Sequence, residues 1–140
     1  RLMPDLEKGA VYHEKPEDLL RISEFLSLNC PMTEEMKCFL NAGRIDLMPK
    51  NAVVVNSARG GLIDDEAMIA ALTSGRLFAA GLDVFENEPE INEKLCSLNN
   101  VVLAPHLGSA TNESRLAMGT RVIENIISFV SGQVPQDKIY

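Results

Sequence analysis

A chain of 140 residues, 46% hydrophobic and 24% charged, has the composition of one globular domain long enough to bury a core. A formal net charge of -7 with no cluster of Lys or Arg excludes a nucleic-acid partner, which needs a basic face for phosphates. Cys30, Cys38 and Cys96 are an odd set without close spacing, and no apolar run reaches membrane-span length, so the expectation is a cytoplasmic protein with reduced thiols and no membrane partner.

In chain order, short apolar runs alternate with helical stretches. Ala10 to Tyr12 is a candidate strand. Pro16 to Arg21 follows as a helix, with Pro16 suited to a first turn. Phe25 to Leu28 reads as a strand. Thr33, ahead of Glu34 and Glu35, resembles a helix N-cap, and Asn41 caps another short helix reaching Met48. Ala52 to Val55 is a continuous β-branched run, the pattern of a strand buried on both faces. Asp64 or Asp65 caps the next helix, which Gly75 stops. Phe78 to Leu82 is the next strand, Glu93 to Leu98 a helical turn, and Val101 to Ala104 a buried strand ended by Pro105. Thr111 caps a last helix over 112–131, whose apolar stripe is Leu116, Val122, Ile123, Ile126, Ile127 and Val130.

Strands separated by helices imply βαβ units and an α/β fold with a parallel sheet. No repeat or linker divides the chain, so residues 1–140 read as one compact unit. The short first strand and the abrupt start at Arg1, without a leader, lead to the expectation that the chain begins inside a longer protein.

Three polar segments follow three successive strands. They are Asn56-Ser57-Ala58-Arg59-Gly60-Gly61, Asp83 to Pro89, and Pro105 to Thr111. A parallel sheet brings such segments to its carboxyl edge, where open α/β sheets bind ligands. Pattern alone therefore gathers Arg59, Glu88 and His106. Those residue types suit reduction of a 2-oxo acid. A guanidinium grips the carboxylate with two hydrogen bonds. An imidazolium donates the proton as hydride arrives. A carboxylate beside the imidazole favours its charged form and holds it. Taken singly, Arg59 is an ordinary loop arginine, Glu88 a solvated carboxylate and Asp83 a helix cap. The joint pattern is more specific than any member. Gly60, Gly61 and Gly108 permit close backbone approach to a ligand.

The segments VNSARGGLIDDEAMIAAL, AAGLDVFENEP and NVVLAPHLGSAT, with LNCPMTEE earlier, resemble the signature blocks of the D-isomer-specific 2-hydroxyacid dehydrogenases, in particular the glyoxylate/hydroxypyruvate reductases. The resemblance runs from about Gly9 to the end and implies a Rossmann-type nucleotide-binding domain. It further implies hydride transfer between NAD or NADP and a small 2-oxo or 2-hydroxy acid. It assigns substrate binding to Arg59, pairing with the catalytic imidazole to Glu88 and general acid/base work to His106. By the same resemblance Ser57, Ala58 and Arg59 would lie along the nicotinamide side, and Asp83 would bind the carboxamide. His106, Gly108 and Ser109 would flank the ring, and Cys30 and Pro31 would line the adenosine side. No metal is implied, and the assembly it suggests is a homodimer.

The family's Gly-x-Gly-x-x-Gly loop, which seats the pyrophosphate, does not occur in this sequence. The expected fold is therefore incomplete: the carboxyl-terminal portion of a dinucleotide-binding domain, without its leading strands and Gly-rich loop. Arg1 matches a basic position that favours a 2'-phosphate. A non-catalytic binding or dimerisation module, or an inactive truncated product of the same fold, is the competing reading.

Overall fold

Residues 8–139 are described by the computed structural model, and among them four strands pair in parallel. They are β1 (Phe25–Leu28), β2 (Ala52–Asn56), β3 (Leu77–Leu82) and β4 (Val101–Leu103), side by side in sequence order. Helices fill the connections: α1 (Pro16–Ile22) precedes β1, α2 (Ala42–Leu47) leads into β2, α3 (Asp65–Thr73) into β3 and α4 (Glu93–Cys96) into β4. Such crossovers are almost always right-handed, so a sheet built in sequence order collects its helices on one face. α1 packs on α2, α2 on α3, and α3 on β3.

The helix boundaries follow local chemistry. Pro16 begins α1, Asn41 accepts the Arg44 N–H at 3.1 Å, and Asp64 accepts the Ala67 N–H at 3.1 Å. Asp64 rather than Asp65 is thus the cap of α3. Gly75 ends that helix with φ +72°, a conformation a side chain would strain. Thr33 precedes a single 3₁₀ turn, Glu34–Met36, and makes no side-chain cap hydrogen bond.

Pairing fixes which residues share a face. Leu26, Leu28, Val54, Ala80 and Leu82 are buried against the helices, joined by Leu20, Leu40, Ile45, Met68 and Leu72. Ser27, Val55, Gly81 and Val102 lie in register on the opposite face, which Phe25 shares two residues earlier on β1, and Phe25, Val55 and Val102 are exposed. This corrects two expectations. The Ala52 to Val55 run is not buried on both faces, since Val53 is half-buried and Val55 exposed, and on β4 Val102 is exposed between half-buried Val101 and Leu103. Ala10 to Tyr12 is not a strand: Val11 and Tyr12 are exposed and pair with no described strand. Arg1, the candidate for a 2'-phosphate, lies outside the described residues.

By its contacts the chain divides into two compact units rather than one, the first ending at Ala104 and the second beginning at Pro105. The second unit holds α5 (Asn112–Val130), capped by the Thr111 hydroxyl on the Ser114 N–H at 3.1 Å. Gly132 turns the chain at φ +72°, and the tail runs back along the helix. There Asn125 donates to Asp137 at 2.6 Å and Arg121 to Gln136. No residue of α5 is buried, its apolar stripe included. No helix of the described residues is long and apolar enough to cross a membrane.

Candidate active site

The carboxyl ends of β1 and β2 open into a cleft of about 540 Å³. One wall is the turn after β1, with Asn29, Cys30, Pro31 and Met32; the other is Ser57, Ala58 and Arg59 after β2. Five residues expected to contact a cofactor therefore line one cavity, because adjacent parallel strands end at the same edge. Cys30 and Ala58 are half-buried, whereas Ser57 and Arg59 are exposed. Arg59 Nη1 donates to its neighbour's carbonyl, Ala58 O, at 2.6 Å.

Asn56, the last residue of β2, is 1% exposed. Its Oδ1 accepts the Ala58 N–H at 3.1 Å and its Nδ2 donates to Arg59 O at 2.9 Å. Its own carbonyl accepts the Asp83 N–H at 2.9 Å, which ties the end of β2 to the start of the loop after β3. In that loop Glu88 is exposed, and its Oε1 accepts the Phe85 N–H at 2.9 Å. The Glu88-Pro89 peptide is cis.

Gly60 lies against the loop after β3. It is buried, and a Cβ there would stand 1.9 Å from Phe85 C and 2.3 Å from Glu86 N. The close approach it permits is to the protein's own backbone. Neither this nor the contacts of Asn56 is visible in composition. The available signal was a polar residue ending a β-branched run just before Ser-Ala-Arg-Gly-Gly.

At the end of β4 the Ala104 N–H donates to Leu82 O at 2.9 Å, and the chain then enters the second unit. His106 is exposed, with φ +55°, a left-handed conformation uncommon outside glycine and concentrated at functional sites. Gly108 and Ser109 follow it in the turn ahead of α5, closed by the Ala110 N–H on Leu107 O at 3.0 Å.

A second cavity, about 380 Å³, lies between Asp64, Asp65 and Glu66 and the loop carrying Phe85, Glu86 and Glu90. Burial, and then the charges of Glu86, Asp64 and Glu66, push the Asp65 carboxyl above its ordinary range. Across the start of α3, Lys94 pairs with Glu66 at 2.8 Å and holds that carboxyl below its ordinary range, first through the hydrogen bond and then through its charge. The described residues hold no group of three or more His, Cys, Asp or Glu placed to bind a metal ion.

The fold is one that known proteins share. Residues 3–108 match the family model of the D-isomer specific 2-hydroxyacid dehydrogenase, NAD binding domain. The chain belongs to this family. A glyoxylate reductase of Thermococcus kodakarensis is 48% identical over 134 residues, which are 94% of this chain and 40% of that protein. A solved structure from Polaromonas sp. JS6 66, described as a D-isomer specific 2-hydroxyacid dehydrogenase, is 47% identical with a TM-score of 0.96. It covers 100% of this chain, which spans 44% of it. An NADPH-dependent glyoxylate/hydroxypyruvate reductase from Sinorhizobium meliloti, solved with NADP and malonate, is 34% identical with a TM-score of 0.85, over 92% of this chain and 40% of its own. The chain thus spans about two-fifths of the curated relatives it matches, the share being 40% for the first. The parallel sheet expected from the sequence is that of this family, and the match to only part of each relative fits the expectation of an incomplete domain.

Proposed function

We propose that this chain is the nucleotide-binding and catalytic-residue part of a cytoplasmic, homodimeric NAD(P)-dependent oxidoreductase. It would interconvert a small 2-oxo acid and its 2-hydroxy acid, with glyoxylate or hydroxypyruvate as substrate. The observation that carries this reading is the cleft at the carboxyl edge, into which Cys30 and Pro31 converge with Ser57, Ala58 and Arg59. The residues present fit a dinucleotide. Pro31 and Met32 offer apolar surface to an adenosine, and Ser57 and Ala58 are small enough to leave room for a flat ring. Asp83, tied to Asn56, would meet the carboxamide, and His106, Gly108 and Ser109 would flank the ring. When bound, the nicotinamide supplies or accepts the hydride.

The protein's own groups would do the rest. Arg59 would hold the substrate carboxylate in a two-pronged hydrogen bond and draw electron density toward the carbonyl oxygen. His106 would give that oxygen a proton in reduction and recover it in oxidation. Glu88 would orient the imidazole and favour its charged form.

The full-length polypeptide carrying this sequence should oxidise NADH or NADPH with glyoxylate or hydroxypyruvate. Arg59→Ala should lower kcat/KM by about a hundredfold or more, as loss of a charged substrate contact does. No oxidation of either nucleotide with either acid would overturn the reading.

A further inference from the structure

Two residues outside the proposed catalytic set connect the loops that carry Arg59 and Glu88. Asn56 has a carboxamide that is buried and satisfied on both sides, by the Ala58 N–H at 3.1 Å and Arg59 O at 2.9 Å. A buried amide is costly unless both its ends are paired, so the Ser57-Ala58-Arg59 turn cannot relax without exposing or orphaning it. Its backbone carbonyl receives the Asp83 N–H at 2.9 Å, which joins the turn to the end of β3. Gly60 then sets how closely the two loops approach, since a Cβ would stand 1.9 Å from Phe85 C and 2.2 Å from Phe85 O. Phe85 in turn gives its N–H to Glu88 Oε1 at 2.9 Å. Arg59 and Glu88 are therefore each one short step from the same backbone contact.

We propose that Asn56 and Gly60 are positioning residues that set the spacing between the Arg59 guanidinium and the Glu88 carboxylate. This rests on the functional reading above. Asn56 fixes the backbone from which the guanidinium departs. Gly60 fixes how near the Phe85 to Glu88 loop lies to it. Neither touches a substrate: Asn56 acts through Arg59 and Gly60 through Glu88.

The test uses the full-length polypeptide with three variants: Asn56→Asp, Gly60→Ala and, as a stability control, Leu72→Ala in the core of α3. Asn56→Asp keeps the acceptor for Ala58 and loses the donor to Arg59 O. Gly60→Ala keeps the Asn56 bonds and pushes the Phe85 backbone away. Three readouts are taken, one of them the melting temperature. Hydrogen exchange follows the Ala58 and Phe85 amides, and steady-state kinetics separates KM for the 2-oxo acid from KM for the nucleotide.

Asn56→Asp should raise KM for the 2-oxo acid by about tenfold, with the nucleotide KM changing less than about threefold. Combined with Arg59→Ala it should add almost nothing, because the two act through one contact. Gly60→Ala should lower kcat and cut protection of the Phe85 amide by about tenfold. Leu72→Ala should lower the melting temperature and leave the KM ratio alone. Unchanged KM and kcat in both site variants of an active protein, or full multiplicative effects of Asn56→Asp and Arg59→Ala, would overturn the positioning role. Protected amides in a wild-type protein that turns over neither acid would instead remove the dehydrogenase reading and leave the loop packing in place. If Asn56→Asp fails to fold, Gly60→Ala alone decides the matter by its Phe85 exchange and kcat.

Discussion

Glu88 closes its own loop: the Oε1 atom takes the Phe85 N–H, three residues earlier, at 2.9 Å. This contact needs an oxygen acceptor, whereas the chemical duty proposed for the same side chain needs a negative charge. Glutamine supplies the oxygen without the charge. Glu88→Gln in the full-length polypeptide should hold the melting temperature within about 2 °C while kcat/KM falls by about a hundredfold, the usual size of a lost acid/base partner. Glu88→Ala should lose both. Wild-type kcat/KM in Glu88→Gln would take the carboxylate out of the catalytic set.

Arg59 offers a second separation. Its guanidinium already gives Nη1 to Ala58 O at 2.6 Å, and its fork geometry can give other N–H groups to a carboxylate. Lysine keeps the charge and loses the fork. Arg59→Lys should raise KM for the 2-oxo acid by about tenfold or more and leave the nucleotide KM nearly untouched. Equal changes in both constants would mean that Arg59 serves the cleft as a whole rather than the substrate.

The strands were legible because their signals are local. Phe25 to Leu28 matches the expected span at both ends, and β2 and β3 each extend theirs by one residue. The helix starts at Pro16, at Asn41 and at the Asp64-Asp65 pair were legible for the same reason, since a cap is chemistry within four residues. What failed depends on distant partners. Ala10 to Tyr12 has apolar side chains and no described strand beside it, and an unpaired strand is not a strand. Val55 and Val102 are β-branched and exposed, because which sheet face the helices cover is decided by the crossovers and not by the run itself. At the site, the meeting of Cys30 with Ser57 and Arg59 could be read from strand order. The Asn56 carboxamide bonds and the contact of Gly60 with Phe85 could not, since they exist only once β2 and β3 have paired.

The sequence contains no Gly-x-Gly-x-x-Gly loop, the backbone cradle that binds a pyrophosphate. On the proposed reading, Cys30, Pro31, Ser57, Ala58 and Arg59 would meet the two ends of a dinucleotide and not its charged middle. Calorimetric titration of the 140-residue chain with NADH should therefore show binding at least about tenfold weaker than that of the full-length polypeptide. Low-micromolar affinity in the short chain would show that this cleft suffices for the cofactor.

The start of α3 predicts a pH dependence of stability. Burial, then the charges of Glu86, Asp64 and Glu66, raise the Asp65 carboxyl above its ordinary 3.8. The folded chain thus keeps a proton that the unfolded chain has already released. Protons bound in excess by the folded state make stability fall as pH rises, from near the unfolded value up through the raised folded value, and the loss persists above it. Asp65→Asn removes the titration. Its melting temperature should nearly equal that of the wild type at about pH 3 and exceed it at about pH 7, with the gap opening across the carboxylate range. An opposing force is present, because a negative charge in the first helical turn is favoured by the helix dipole. Asp64 and Glu66 remain there to supply it, so the third charge contributes more repulsion than attraction. Thermal unfolding at the two pH values decides which force wins. A wild-type protein that gains on the variant as pH rises would mean that the dipole outweighs burial and repulsion at Asp65.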